Sequence, residues 1–94
     1  MKVYISGGIT GIGNYKERFD AAEEYLKAQG YKVFNPTCLP PIFEWKQFMA
    51  LDLLALCFCD TIYMLEGWES SRGAQLEYKE AVRLKLNIMF EKTN

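Results

Sequence analysis

The chain has no histidine, three cysteines, no excess of basic charge and no long apolar run, and each shortage excludes something. Cys38, Cys57 and Cys59 are an odd number and no disulfide framework, so reduced thiols in a cytoplasm are expected. Cys57 and Cys59 flank one phenylalanine in an apolar stretch. With no histidine and no second cysteine pair they read as small buried hydrophobes, and neither metal nor cofactor is expected. Lys and Arg number 11 against 12 Asp and Glu, a net charge of −1, which excludes a nucleic-acid polymer as partner. No apolar run approaches the roughly 20 residues that span a bilayer, so no membrane association is expected. Met1-Lys2-Val3 enters a strand at once, so no signal peptide is expected.

What is present fits one globular domain over residues 1–94: half the residues are hydrophobic and 24% are charged. Lys2 to Ser6 is a β-branched and aromatic run, a first strand. The loop GGITGIG follows, then a helix with Asn14 and Glu17 as a capping box, Tyr15, Phe19, Ala22 and Leu26 as its apolar stripe, and Gly30 as its stop. Tyr31 to Asn35 is a second strand, stopped by Pro36. A second helix from about Phe43 to Cys57 carries Trp45, Phe48, Met49, Leu53 and Leu56. Its end, LDLLALCFC, is apolar nearly all round, more than one sheet face buries, which implies a homodimer or higher homo-oligomer. Thr61 to Met64 is a third strand, Ser71 to Leu86 a third helix, Asn87 to Phe90 a fourth strand, and Glu91 to Asn94 a tail.

This βαβαβαβ order predicts an α/β fold: a three-layer, flavodoxin- or Rossmann-like domain with a parallel sheet of about four strands in the order 2-1-3-4. Ligands bind outside the carboxyl ends of such strands. GGITGIG, the segment after Asn35 and LEGWESSRG all fall there. The glycine loop has neither G-x-G-x-x-G nor Walker spacing; by itself it is equally a tight turn or an anion cradle.

Two carboxylates sit on apolar helix faces. Glu77 has Gly73, Ala74, Ala81 and Leu84 as its helical neighbours, small enough to leave a pocket. Asp52 lies between Met49 and Leu56, where an unpaired charge costs several kcal/mol. Together they suit displacement at an acetal-like carbon, including C–N cleavage at a ribose C1′. Tyr4, near the end of the first strand, is either a hydrogen-bond donor to Glu77 or simply a strand aromatic. Trp68 is expected at the pocket mouth and Trp45 in the core. Asp60 is expected at the opposite sheet edge, as a cap or turn residue.

These strings resemble the nucleoside 2-deoxyribosyltransferase-like superfamily, in particular a small DUF4406-like family of phage and bacterial genomes. The resemblance covers nearly the whole chain. It rests on YISGGITG, GYKVFNP, W-x-x-x-M-x-x-D and CDTIYMLEGWESSRGAQLE, with GWE-x-SRGA-x-x-E the most specific. It implies that Glu77 attacks C1′ of a deoxyribose, that Asp52 assists departure of the base, and that Tyr4 orients the nucleophile. Ser71 matches a serine that binds a 5′-phosphate in nucleotide-cleaving relatives, whereas Gly8 lacks a serine those relatives carry. The expected substrate-binding set is Gly7, Gly8, Ile9 and Gly11 from the first loop, with Trp68, Ser70, Ser71 and Gly73 from the third. The implied partner is a small nucleoside or nucleotide. The implied activity is N-glycosidic cleavage or base exchange; the alternative is a nucleotide-binding or sensing module on the same fold, and the weakest is a protein that only dimerises.

Overall fold

Four short strands set the frame: β1 (Lys2–Ser6), β2 (Lys32–Phe34), β3 (Thr61–Met64) and β4 (Asn87–Phe90). All neighbours are parallel and the order is β2-β1-β3-β4, as the chain's alternation predicts. Three helices connect them: α1 (Tyr15–Ala28), α2 (Trp45–Cys57) and α3 (Arg72–Arg83). This computed structural model describes residues 1–9 and 11–91; position 10 of the glycine loop and the tail beyond 91 lie outside the described residues.

The period of β1 builds two cores. Val3 and Ile5 point to one face and pack with Phe19, Ala22 and Leu26 of α1. Tyr4 points to the other, among Leu56, Ile62, Met64, Ala74 and Ala81, under α2 and α3. A sheet covered on both faces needs strands that are apolar on both, which is why β3 is buried at all of its residues. Fully burying each leucine, isoleucine or phenylalanine contributes about 1.5–3 kcal/mol.

The helix ends differ from expectation where backbone angles decide. Asn14 is at φ −108°, ψ 26° and makes no side-chain cap, because that backbone is not the extended form that aims a cap at the first turn. Half of such a box forms one helix later: Glu44, at φ −79°, ψ 164°, donates its N–H to Gln47 Oε1 at 3.0 Å. Gly30, at φ +91°, ends α1, and Tyr31 N–H closes back on the Leu26 carbonyl at 3.2 Å. The third helix stops at Arg83 rather than Leu86. Lys85 takes the left-handed position, φ 60°, and Leu86 N–H bonds the Ala81 carbonyl, so this stop carries no glycine.

Along α2 the buried side is Met49, Asp52 and Leu56. Leu51, Leu54 and Phe58 are exposed on the far side. Cys57 is exposed rather than buried, and its Sγ donates to the Leu54 carbonyl at 2.9 Å. Asp60 stands at the start of β3, where its Oδ2 accepts the Lys2 N–H at 2.9 Å. That is the amino edge of the sheet, away from the loops that carry the site.

Where β1 runs into its loop, Gly7 lies against Leu65. A Cβ there would stand 2.9 Å from Leu65 Cβ and Cδ1, and Leu65 is fully buried. At Gly8 an added Cβ would crowd the flexible end of Ile12, at 2.7 Å, and touch Ser71 Cβ at an ordinary 3.6 Å. Gly7→Ala is therefore expected to cost about 1–3 kcal/mol in urea unfolding, and Gly8→Ala less. Equal midpoints for Gly7→Ala and wild type would mean that the buried leucine yields freely.

Candidate active site

Glu77 occupies the second turn of α3, and the sequence of that helix explains why it points inward. Ala74 and Ala81, one turn away on either side, are buried against the sheet. Gly73 lets α2 approach: a Cβ there would stand 3.3 Å from Met49 Sδ. Glu77 is 5% exposed, and both its oxygens are held. Tyr4 Oη donates to Oε2 and Ser6 Oγ donates to Oε1, each at 2.6 Å. Tyr4 and Ser6 are alternate residues of β1, so their side chains share a face. Tyr4 is itself fixed by stacking on Phe34, ring centroids 5.5 Å apart.

Asp52 comes from α2 and is also buried. Among the described residues its Oδ1 has no hydrogen-bond partner, an expensive state for a carboxyl and one that a polar group of a ligand would relieve. Burial pushes Asp52 up to about 6, against the opposing pull of hydrogen bonding with Tyr4 and Glu77. Burial also pushes Glu77 up to about 7; its bonds from Ser6 and Tyr4 oppose the rise and the Asp52 charge adds to it. Burial, then the neighbouring Glu77 charge, holds Tyr4 well above the usual phenol range, so Tyr4 stays a donor.

The pair lines a cleft of about 780 Å³ at the carboxyl edge of the sheet. Of the sequence-derived set, Gly7, Gly8, Ile9, Ser70, Ser71 and Gly73 line it with Asp52 and Glu77. Ser71 caps α3, accepting the Ala74 N–H at 3.2 Å, so the helix N-terminus opens onto the cleft. Tyr4 does not line the cleft; it reaches Glu77 from the core beneath. Gly11 does not line it either. At φ +79° it turns the exposed loop beyond the cleft wall.

The two tryptophans have exchanged their expected places. Gly67, at φ +82°, turns the chain into the 3-10 turn Trp68–Ser70, and the Trp68 ring stacks on Tyr78 with centroids 4.7 Å apart. Trp68 therefore packs against the α3 core, outside the cleft lining. Trp45 is 42% exposed, lines the cleft, and carries the Arg72 guanidinium over its ring at 5.0 Å. The apolar stripe of α2 is real, but its first turn stands at the carboxyl edge of the sheet. There the same helix face meets the cleft instead of the core. Sequence reasoning also missed Ser6, Lys16, Thr37 and Arg72; for Ser6 a signal existed, as a polar residue two positions after Tyr4 on the same strand face.

The model of a domain of unknown function, DUF4406, matches residues 1–90, and the chain belongs to that family. Among solved structures, the chain is similar to the CMP N-glycosidase BcmB of Clostridium botulinum. The two are 21% identical, with 96% of this chain and 70% of that one covered and a TM-score of 0.72. It is also similar to a 2-deoxyribosyltransferase of the psychrotolerant bacterium Bacillus psychrosaccharolyticus, 18% identical, with 100% and 77% covered and a TM-score of 0.74. At these identities the likeness is one of fold. Comparison with curated proteins gives no match. Among the described residues no helix is long and apolar enough to cross a membrane.

Because burial raises the Asp52 pKa, the folded state holds a proton that the unfolded chain has released, between the ordinary value of 3.8 and about 6. Stability contributed by this group thus falls as pH rises through that window, and the full penalty is present above it. Asp52→Asn removes the penalty, so the variant's gain in Tm over wild type is expected to be larger at pH 8 than at pH 4. A gain independent of pH would contradict the placement of a strained carboxyl here.

Proposed function

We propose that the protein cleaves the N-glycosidic bond of a 2′-deoxynucleoside or its 5′-monophosphate, releasing the base to water or exchanging it for a second base. The observation that carries this reading is the buried Glu77, both oxygens held by hydroxyls, facing an Asp52 whose Oδ1 has no partner among the described residues. The fold relatives support it: one is an N-glycosidase of CMP and the other a 2-deoxyribosyltransferase.

In this mechanism a Glu77 oxygen attacks C1′ and the C1′–N bond breaks, its electron pair leaving with the base. Asp52 delivers its proton to the departing nitrogen. Water or a second base then attacks C1′ from the other face, Glu77 leaves, and Asp52 recovers a proton from the incoming nucleophile. The active form of the pair holds one proton. The two coupled carboxyls titrate as a pair, at about 6 and about 7, so kcat/KM should peak between those values. Below that range both are protonated and no nucleophile is left; above it both are ionised and no acid is left. For the phosphate, the Gly7–Ile9 loop, Ser71 and the opening of α3 offer an anion site, with Arg72 at the rim.

The test is incubation with a panel of deoxynucleosides and deoxynucleoside 5′-monophosphates, with free base followed by chromatography. Release is expected, faster from monophosphates, and Glu77→Gln should lower it on the order of a thousandfold or more while the variant still folds. Wild-type rate in Glu77→Gln, on a substrate the wild type cleaves, would remove Glu77 from the mechanism. Absence of any release would leave the pocket a nucleotide-binding module.

The assembly belongs to the same reading. We infer a homodimer or higher homo-oligomer built on the outer stripe of α2, where Leu54 is 57% and Phe58 67% exposed. Leu54→Lys is expected to shift a wild-type oligomer towards monomer in light scattering at micromolar concentration. A wild-type monomer would refute the assembly and leave the chemistry standing.

A further inference from the structure

Two carboxyls that share one proton do not by their proximity say which of them carries it. The hydroxyls around them bias the choice. An ionised carboxylate only accepts, with two lone pairs on each oxygen; a protonated one still accepts, but from a neutral group and more weakly. Glu77 receives Tyr4 Oη on Oε2 and Ser6 Oγ on Oε1, both at 2.6 Å, the short range of hydroxyl-to-carboxylate bonds. Protonating Glu77 would weaken both charge-assisted bonds, so they favour its ionised form. Asp52 shares hydrogen bonding with Tyr4 and Glu77, but its Oδ1 meets no partner among the described residues, so a proton there displaces no bond.

Tyr4 alone cannot decide the matter. It bonds Glu77 and acts on Asp52 as well. The Ser6 hydroxyl, fully buried at the end of the central strand β1, bonds Glu77 and no other side chain among the described residues. We propose that Ser6 is a positioning residue: its hydroxyl favours the charged form of Glu77 and so biases the shared proton towards Asp52. This rests on the glycosidase reading for its catalytic meaning, though the proton placement itself does not. The titratable groups facing Glu77 are Tyr4 from β1 and Asp52 from α2. On that face β3 presents Ile62 and Met64, and α3 presents Ala74 and Ala81, none of which ionises.

Ser6→Ala removes the hydroxyl and adds no bulk. In the full-length protein the acid limb of kcat/KM is expected to move up by about one pH unit. The maximum should fall about tenfold, and KM should change little. Ser6→Thr, which keeps a hydroxyl at the same position, should return the acid limb to its wild-type pH. A fall by the same factor at every pH, with the limb in place, would reduce Ser6 to a packing residue and overturn the proposal.

A second readout needs no turnover. The Glu77 carboxyl carbon, assigned by its loss in Glu77→Gln, is followed by 13C NMR against pH in wild type and Ser6→Ala. A higher midpoint in Ser6→Ala supports the proposal even if Ser6→Thr fails to fold; an unchanged midpoint overturns it. If wild type cleaves nothing in the panel, the glycosidase reading fails by that result alone, and the NMR titration still decides the placement of the proton.

Discussion

A carboxylate sits almost without solvent at the centre of this domain, and two hydroxyls from one strand hold it. Burying an unpaired charge costs several kcal/mol, so the bonds from Tyr4 and Ser6 offset part of the cost of placing Glu77 there. They in turn require β1 to be central, because only a strand with neighbours on both sides keeps its alternate residues fixed under the helices. The small residues of α3 follow from the same constraint. Ala74 and Ala81 bring the helix down onto the sheet, and Gly73 admits α2 beside it. A larger side chain at any of these would lift Glu77 away from its donors.

Parallel strands send all their carboxyl ends to one edge, and this gathers the rest. The loops after β1, β2 and β3 each contribute a wall, while α2, running back across the sheet, delivers Asp52 from above. The amino edge carries structural bonds only at the positions described, such as Asp60 on Lys2. Chemistry and architecture are thus separated along the strand direction, and the stability lost to two buried carboxyls is offset by the apolar cores on both faces.

Much of this was legible before any coordinates. The alternation of short apolar runs with helical stripes led to the sheet order, and the apolar neighbours of Glu77 and Asp52 marked both as inward. What escaped depended on backbone angles and on where an element sits relative to the sheet edge. Asn14 followed by Glu17 has the letters of a capping box without the extended backbone that makes one. Lys85 ends α3 at a positive φ with no glycine to announce it. The tryptophans illustrate the second limit: periodicity correctly put Trp45 on the inner face of α2, but inner means cleft at the first turn and core at the last. Ser6 was hidden inside a strand pattern, where a small polar residue draws no notice until its partner across the fold is known.

The central claim is that Glu77 is a nucleophile and not only a buried structural acid. Its most direct test is covalent trapping with a slow 2′-fluoro deoxynucleotide, followed by peptide mass spectrometry. The account predicts a fluorodeoxyribosyl adduct, with loss of the base, on the peptide containing Glu77 and on no other carboxylate. An adduct on Asp52, or base release from that analogue with no adduct accumulating on Glu77, would contradict it.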